Sequence, residues 1–442
     1  MARTLIAKSN PIRVAFLLLY IEGWDALAEI YSLMRADPRF DAQVFVLPRK
    51  LTGDSEFGGT LVASRALEEL GVPHVVVPTD NPAIGLGMIR DFAPDYSFIN
   101  YPWQRNYQPE YRVDSLIQLT RVCYVPYYFL PLINEPGESG VAPHIYTQRS
   151  HQLASLVFTQ DANVVDAYAG TERSNSFVHF VGSPKIDAMV AQGQTVAKWP
   201  IGPGDVSGDG TGSVGAKTQP YRIIWAPHHT FEPTWCNFGM FTAMYQDVLE
   251  FAKTRSDVEI VLRPHPFMFG TLVELGLLTA AQIREWRHEF EAQPNTYIDQ
   301  GGSYLGLFKA ADLMITDGIS FLGEYPLVTG KPTVFIEKAE HWGFSPIGQI
   351  AAAANVRFAS FDAFVEAFDE IKTHGLPDRN VEIATLRQAA CPNPGESAKQ
   401  IVEIVAADSA AGTGLVDASM VTQLSWEAKA DLRRLEAARN LD

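Results

Sequence analysis

The sequence predicts an α/β protein made of two doubly wound, parallel-sheet halves, and three observations carry that expectation. A strand–loop–helix–strand order recurs from Ile12 onward. The same order begins again at Arg222, after a stretch between Trp199 and Pro220 that is rich in Gly, Ser and Asp. The chain has 442 residues, too many for one comfortable core and enough for two domains of roughly 200 residues each.

The first unit of the pattern is the apolar run Val14 to Ile21, a loop Ile21-Glu22-Gly23-Trp24, a helix from Asp25 to Met34 and a strand from Ala42 to Leu47. This βαβ order implies parallel pairing. A helix over Leu61 to Leu70 follows, then the strand Val75 to Val77, a helix over Pro82 to Phe92 and a strand at Tyr96 to Asn100. Further strands fall at Val122 to Tyr124, Leu156 to Thr159 and Phe177 to Val181, and Val181-Gly182-Ser183-Pro184-Lys185 closes this half. Residues 202–220, GPGDVSGDGTGSVGAKTQP, contain no large apolar side chain beyond valine and read as a flexible linker.

The second half runs through the strand Arg222 to Trp225, a helix over Phe241 to Thr254, the strand Val258 to Leu262 and a helix over Ala280 to Phe290. It reaches its organising stretch at Ala310 to Phe335. There Asp312 to Thr316 is a short buried strand, Asp317-Gly318 breaks it, and Ser320 caps a helix whose first turn holds Phe321, Leu322 and Glu324. Beyond Pro392-Asn393-Pro394 two helical segments are expected, Gly395 to Ala406 and Val416 to Ala438. In the second, Val421, Leu424, Ala428, Leu432 and Leu435 share a face that packs on the body, with a partner or membrane surface as alternatives. The expected division is 1–196, a linker at 197–220, a second domain at 221–390 and C-terminal helices at 391–442.

Lysine plus arginine number 35 against 51 aspartates and glutamates, a net charge of −16, which argues against a general nucleic-acid binder. The three cysteines, Cys123, Cys236 and Cys391, are odd in number and far apart, so neither a disulfide framework nor a zinc motif is suggested and a reducing, cytoplasmic setting fits best. The early apolar run is too short to span a membrane and ends at Glu22 without a small-residue cleavage site.

In a parallel sheet the loops after the strands lie on one edge, where ligands bind. Three such loops belong to the second half: Ala226-Pro227-His228-His229-Thr230, Arg263-Pro264-His265-Pro266, and Thr316 to Ser320. Arg263 offers a planar fork for phosphate oxygens, and His265, held between two prolines, a ring donor with little freedom to lose. Thr316, Asp317, Gly318 and Ser320 lead into a helix N-terminus, whose amides and dipole favour phosphate. Of His228 and His229, adjacent on a loop, one faces the cleft, and no Cys or Asp/Glu cluster completes a metal site with them.

The set PHHT, RPHP and TDGISFLGEYPLVTGKP, in that order and spacing, resembles bacterial CDP-glycerol glycerophosphotransferases, which polymerise teichoic acids. Echoes occur at Val181 to Lys185 and at Arg121 to Tyr127. The resemblance implies the GT-B fold, two Rossmann-like domains facing across a cleft, with no metal and no cofactor beyond a nucleotide-activated donor. It implies that Arg263 and His265 bind the donor pyrophosphate and that Thr316, Asp317 and Ser320 line the same pocket, and Gly318 and Glu324 complete the expected donor-binding set. The histidine–proline pair followed by a serine-bearing turn is also similar to what bacterial sialyltransferases and Kdo transferases use for CMP, so a cytidine nucleotide is expected.

The family's Trp-His-Gly-Thr-Pro motif, which supplies its general base, is absent; Tyr127-Tyr128-Phe129-Leu130-Pro131 stands there instead. His228, His144, Glu22 and Asp25, at strand ends or in loops, are the candidate bases, so the catalytic set is His265, His228 and Glu22. Trp24, Trp103, Arg105 and Tyr127 suit stacking and phosphate contact with an acceptor. The expected activity moves a glycerol-phosphate or sugar unit from a cytidine donor to an envelope or capsular polymer, a glycan or glycerol-phosphate chain, with a lipid-linked acceptor and peripheral contact at the inner membrane face left open. A transferase using CMP-Kdo, another CMP-sugar or a UDP-sugar is the enzymatic alternative, and a non-catalytic nucleotide-binding protein is the alternative of another class.

Overall fold

The computed structural model describes residues 11–50, 54–136, 144–169, 173, 175–191, 195–202, 219–299, 301 and 303–421. The chain divides into two compact units. The first gathers the described residues of Met1–Phe129, Glu135–Ala188 and Ala390–Asp442, and the second those of Leu130–Asn134 and Met189–Ala389.

The first unit holds a seven-stranded sheet of β1 (Ile12–Leu18), β2 (Phe40–Val46), β3 (His74–Val76), β4 (Tyr96–Ile99), β5 (Arg121–Tyr124), β6 (Leu156–Thr159) and β7 (Val178–Phe180), in the spatial order β3-β2-β1-β4-β5-β6-β7. The second holds six strands, β8 (Tyr221–Ala226), β9 (Val258–Leu262), β10 (Thr296–Ile298), β11 (Leu313–Thr316), β12 (Val334–Ile336) and β13 (Val356–Phe358), in the order β10-β9-β8-β11-β12-β13. All these pairings are parallel. In each sheet the winding direction reverses beside the first strand, between β1 and β4 and between β8 and β11. Such a switch point leaves a crevice at the strands' C-terminal ends, because neighbouring connections depart to opposite faces.

The central strands are mostly apolar because helices cover both faces. In β8, Ile223 and Trp225 join one hydrophobic layer, with Phe241, Val248 and Trp286, while Ile224 and Ala226 join the other, with Phe308, Met314 and Tyr325. That alternation is the period of two that a strand imposes.

Several expectations shift. The helix expected from Asp25 begins later: a 3-10 turn, Ile21–Ala26, precedes the helix Ala28–Ala36. The turn is pressed against the end of β4, where a Cβ on Gly23 would lie 2.8 Å from the Asn100 amide nitrogen. The first residues of the expected linker are packed: Trp199 is buried in the second unit and its indole donates to Glu259 at 2.6 Å. Residues 203–218, most of that linker, lie outside the described residues. The helix Ser397–Ala411 does not stand apart. It buries Ile401, Val402 and Val405 in the first unit's core, and Tyr96 donates to its Asp408 at 2.5 Å. Of the last expected helix, Ala418–Met420 forms a 3-10 turn and residues 422–438 lie outside the described residues.

Candidate functional site

The second sheet brings its three predicted loops to one edge. Register aligns Trp225 with Leu262 and Ala226 with Thr316, so the chains leaving β8, β9 and β11 emerge side by side. Backbone bonds tie them together: the His265 N–H donates to the Pro227 carbonyl at 3.1 Å and the Arg263 N–H to that of Trp225 at 2.8 Å.

Three histidines meet there. The rings of His229 and His265 stack with centroids 3.8 Å apart, and His228 lies 4.6 Å from His229 and 5.5 Å from His265. Burial holds all three imidazoles neutral, pulling His229 down to about 3 and His228 and His265 well below their ordinary value, with the neighbouring histidines adding to the effect for His265. The Phe267 N–H donates to His265 Nδ1 at 3.2 Å. A neutral ring that accepts at Nδ1 carries its proton on Nε2, so His265 presents a fixed N–H donor. His228 Nδ1 lies 2.9 Å from the Thr230 hydroxyl, which accepts the Phe238 N–H at 3.1 Å. His229 Nδ1 is buried and has no partner among the described residues.

Thr316 and Asp317, predicted to line the donor pocket with their side chains, are turned inward. The Thr316 hydroxyl donates to the Ala226 carbonyl at 2.8 Å and accepts the Gly318 N–H at 2.9 Å. Asp317 accepts the His228 N–H at 2.6 Å on one oxygen and the Met240 N–H at 2.5 Å on the other. Both side chains therefore brace the loops, and burial pushes the Asp317 carboxyl up to about 7 in spite of those amides and Lys338.

The Ser320 expectation is corrected. Its backbone is already helical at φ −62° and ψ −42°, and its side chain makes no capping bond to the helix Phe321–Thr329. A capping side chain needs an extended backbone to fold back on the first turn. The consequence is chemical: among the described residues the N–H groups of Ile319, Ser320 and Phe321 have no acceptor. Gly318 precedes them, with His228 Cδ2 3.6 Å from where a Cβ would stand.

Arg263 is held at this edge by Asp299 at 2.7 Å and by the Gly301 carbonyl at 2.9 Å. Its guanidinium lies 5.6 Å from the ring of Tyr304, whose hydroxyl donates to the buried Glu324 at 2.5 Å. Tyr304 was not among the predicted residues. It follows β10 at a distance of several residues, and no motif marks it.

In the first unit, Glu22 lies on the 3-10 turn and is paired with Arg49 at 3.2 Å. Tyr127 is half-buried, 5.2 Å from the ring of Tyr101 and 6.3 Å from that of Tyr20. Trp103 is half-buried against the same layer and Arg105 is exposed. Trp24 is corrected as an acceptor contact: only 5 % exposed, it packs on Tyr31 in the core, because the 3-10 turn points it inward. His144 opens the 3-10 turn His144–Tyr146. Among the described residues no group of three or more His, Cys, Asp or Glu is placed to hold a metal ion, and no helix is long and apolar enough to cross a membrane.

No family model and no curated protein matches this sequence. Solved structures do match along its length. UDP-GlcNAc 2-epimerase from Neisseria meningitidis bound to UDP-GlcNAc is 13 % identical, with TM-score 0.54, covering 90 % of this chain and 100 % of that one. The S. aureus MnaA–UDP structure is 12 % identical, with TM-score 0.55, covering 89 % and 96 %. The wall teichoic acid polymerase TagF is 11 % identical, with TM-score 0.54, covering 91 % and 90 %. At these identities the likeness establishes the fold: two open parallel-sheet α/β domains of the GT-B kind.

Proposed function

We propose that the chain is a transferase that binds the diphosphate of a nucleotide-activated donor at the switch point of its second sheet. One observation carries the reading: neutral histidine rings and three helix-start amides without an acceptor among the described residues converge where β8, β9 and β11 end. Amides at a helix start and an Nε2–H donor bind phosphate oxygens without themselves being charged. As the bond to the donor's phosphate breaks, negative charge grows on the departing nucleotide, and preorganised donors stabilise it more in the transition state than before.

The structures with UDP-GlcNAc or UDP in the same fold, and TagF among the neighbours, support a nucleotide-activated donor and envelope-polymer chemistry. The RPHP and TDGIS motifs favour a cytidine donor, CDP-glycerol first, with a glycan or glycerol-phosphate polymer as acceptor. A UDP-sugar is the second reading, and the UDP-bound neighbours favour it.

In the transfer, an acceptor hydroxyl oxygen forms the new bond, the nucleotide leaves with the bonding pair, and a base takes the hydroxyl proton. His228 is a poor base because burial disfavours its cation. Glu22, solvent-accessible beside Arg49, fits that role better. A thermal-shift panel of CMP, CDP, UDP and GDP, with and without Mg²⁺, tests the donor, since ligand bound to the native state raises the melting temperature. Stabilisation by UDP or GDP and not by cytidine nucleotides rules out CDP-glycerol. Nucleotide binding without release of nucleotide from any activated donor rules out the transferase.

A further inference from the structure

The first sheet's switch point carries a second constellation, built from five strand ends. Glu22 and Asp25 lie on the 3-10 turn after β1. Three residues apart in such a turn, they share one side, because positions i and i+3 of a 3-10 helix eclipse. Each is clamped by a cation from elsewhere: Arg49, after β2, lies 3.2 Å from Glu22, and Lys185, after β7, lies 3.5 Å from Asp25. Tyr101 and Tyr127, after β4 and β5, close around Tyr20 at 5.9 and 6.3 Å. Burial pushes the Tyr20 hydroxyl up, with Glu22 and Tyr127 adding to the effect and Arg49 and Lys185 opposing it.

The exposures of the charged pairs decide what the site can take. The carboxylate side chains are 37 % and 40 % exposed, whereas Arg49 is 17 % and Lys185 only 9 % exposed. The cations lie beneath and the carboxylate side chains are the more exposed partners, although Oδ1 of Asp25 is itself buried, so the cluster balances its charge yet offers acceptors, the Glu22 oxygens foremost, to the solvent. An approaching phosphate meets like charge first, while a polyhydroxylated, uncharged group meets acceptors already fixed by ion pairs. An independent feature points the same way. Asn100, fully buried after β4, donates its amide to the Gly23 carbonyl at 2.6 Å within the turn, and among the described residues its Oδ1 has no donor. A buried acceptor left without a donor costs about 1–3 kcal/mol until a hydroxyl or water satisfies it.

We propose that this turn is a binding site for hydroxyls of an uncharged sugar or polyol end, with Glu22 and Asp25 accepting from them and with Arg49 and Lys185 as positioning residues. Naming the ligand as the acceptor rests on the donor reading above. The ligand class does not, because it follows from the charge order of the turn.

The test uses the full chain and saturation-transfer NMR with three probes: glycerol, methyl α-glucopyranoside and glycerol 3-phosphate. The wild type should bind one or both neutral probes and favour them over the phosphate. The double variant Glu22→Gln/Asp25→Asn should weaken neutral-probe binding at least tenfold and improve binding of glycerol 3-phosphate, since the outward charge is gone. Lys185→Met should weaken the neutral probe and Lys185→Arg should largely restore it, which a purely structural loss would not do. The proposal is overturned if the wild type binds no neutral probe, if it prefers glycerol 3-phosphate, or if the double variant binds neutral probes as the wild type does. Melting shifts with CDP and UDP are read on the same samples. Failure of those shifts in the wild type rejects the donor site and leaves this one standing.

Discussion

The imidazoles of His229 and His265 lie face to face, 3.8 Å between centroids and 20° from parallel, a distance at which two cations would repel strongly. The stack therefore belongs to neutral rings, and with Nδ1 of His265 occupied by the Phe267 N–H, its remaining nitrogen is a donor by construction. Replacing His265 with alanine removes that donor. Turnover should fall roughly a hundredfold or more, the scale seen when one preorganised donor is lost. Nucleotide affinity should weaken as well, because a donor touches product as much as donor substrate. Pro264 and Pro266 restrict the loop, so circular dichroism should show an intact fold. Undiminished turnover and affinity in the folded variant would remove His265 from the site.

Neutrality makes a second prediction about pH. If the histidines bind phosphate as neutral donors, affinity for a nucleoside diphosphate should be nearly flat from pH 7 to 8.5, where the terminal phosphate, with a pKa of about 6, is already ionised. A binding histidinium would instead lose affinity with each unit of pH. Stability follows the opposite acid trend. The folded value of His229 is about 3 and lies below its ordinary 6.5, so its contribution is present above 6.5 and lost as pH falls toward 3. Isothermal titration across the pH range checks the first statement and denaturant melts check the second. A tenfold drop in affinity between pH 7 and 8.5 would refute neutral binding.

How much of this was legible in the sequence differs between backbone and side chain. Most strands were readable because each is a short apolar run ended by a turn residue, as in Asp312 to Thr316 before Asp317-Gly318, and the parallel order then placed PHHT, RPHP and TDGIS on one edge, whereas the short strands Thr296–Ile298 and Val356–Phe358, which carry no such run, were not expected. Side-chain direction was not readable. Trp24 looked accessible because it sits in a loop-like string, and a 3-10 turn rotated it into the core. Asp317 and Thr316 looked like ligands because they are polar at a strand end, but their oxygens are taken by amides and a carbonyl of neighbouring loops up to 90 residues away. Tyr304 is set by Glu324, 20 residues on, and Lys185 by Asp25, near the start of the chain, and local pattern encodes neither.

Ser320 and Ser360 separate capping from ligand contact. Ser360 caps the helix Phe361–His374 by accepting the Ala363 N–H at 3.2 Å, whereas Ser320 makes no such bond. Ser360→Ala should cost about 1 kcal/mol of stability and Ser320→Ala less than about 0.5 kcal/mol. If the Ser320 hydroxyl meets the donor phosphate, the second variant should nevertheless weaken nucleotide binding. Chemical denaturation paired with nucleotide titration reads both, and a Ser320→Ala loss as large as that of Ser360→Ala would show that Ser320 caps its helix after all.

The last prediction concerns Asp317, which joins the end of β11 to the loop after β8 through His228 and to the start of the helix Phe241–Thr254 through Met240. Burial raises its carboxyl from 3.8 to about 7, so the folded state holds a proton that the unfolded chain gives up. The sign follows: its contribution is fully present below about pH 4 and is lost as pH rises through 7, up to about 4 kcal/mol for a shift of three units. Asp317→Asn cannot ionise and should abolish that part of the pH dependence. It also turns an amide N–H toward one of two backbone donors, a mismatch that costs about 1–3 kcal/mol at every pH. The difference in unfolding free energy between wild type and variant should therefore be largest near pH 4 and shrink toward pH 8, as the wild type loses its advantage. A difference that stays constant from pH 4 to 8 would mean that Asp317 keeps an ordinary carboxylate value in the folded protein, and that its two amide bonds outweigh its burial.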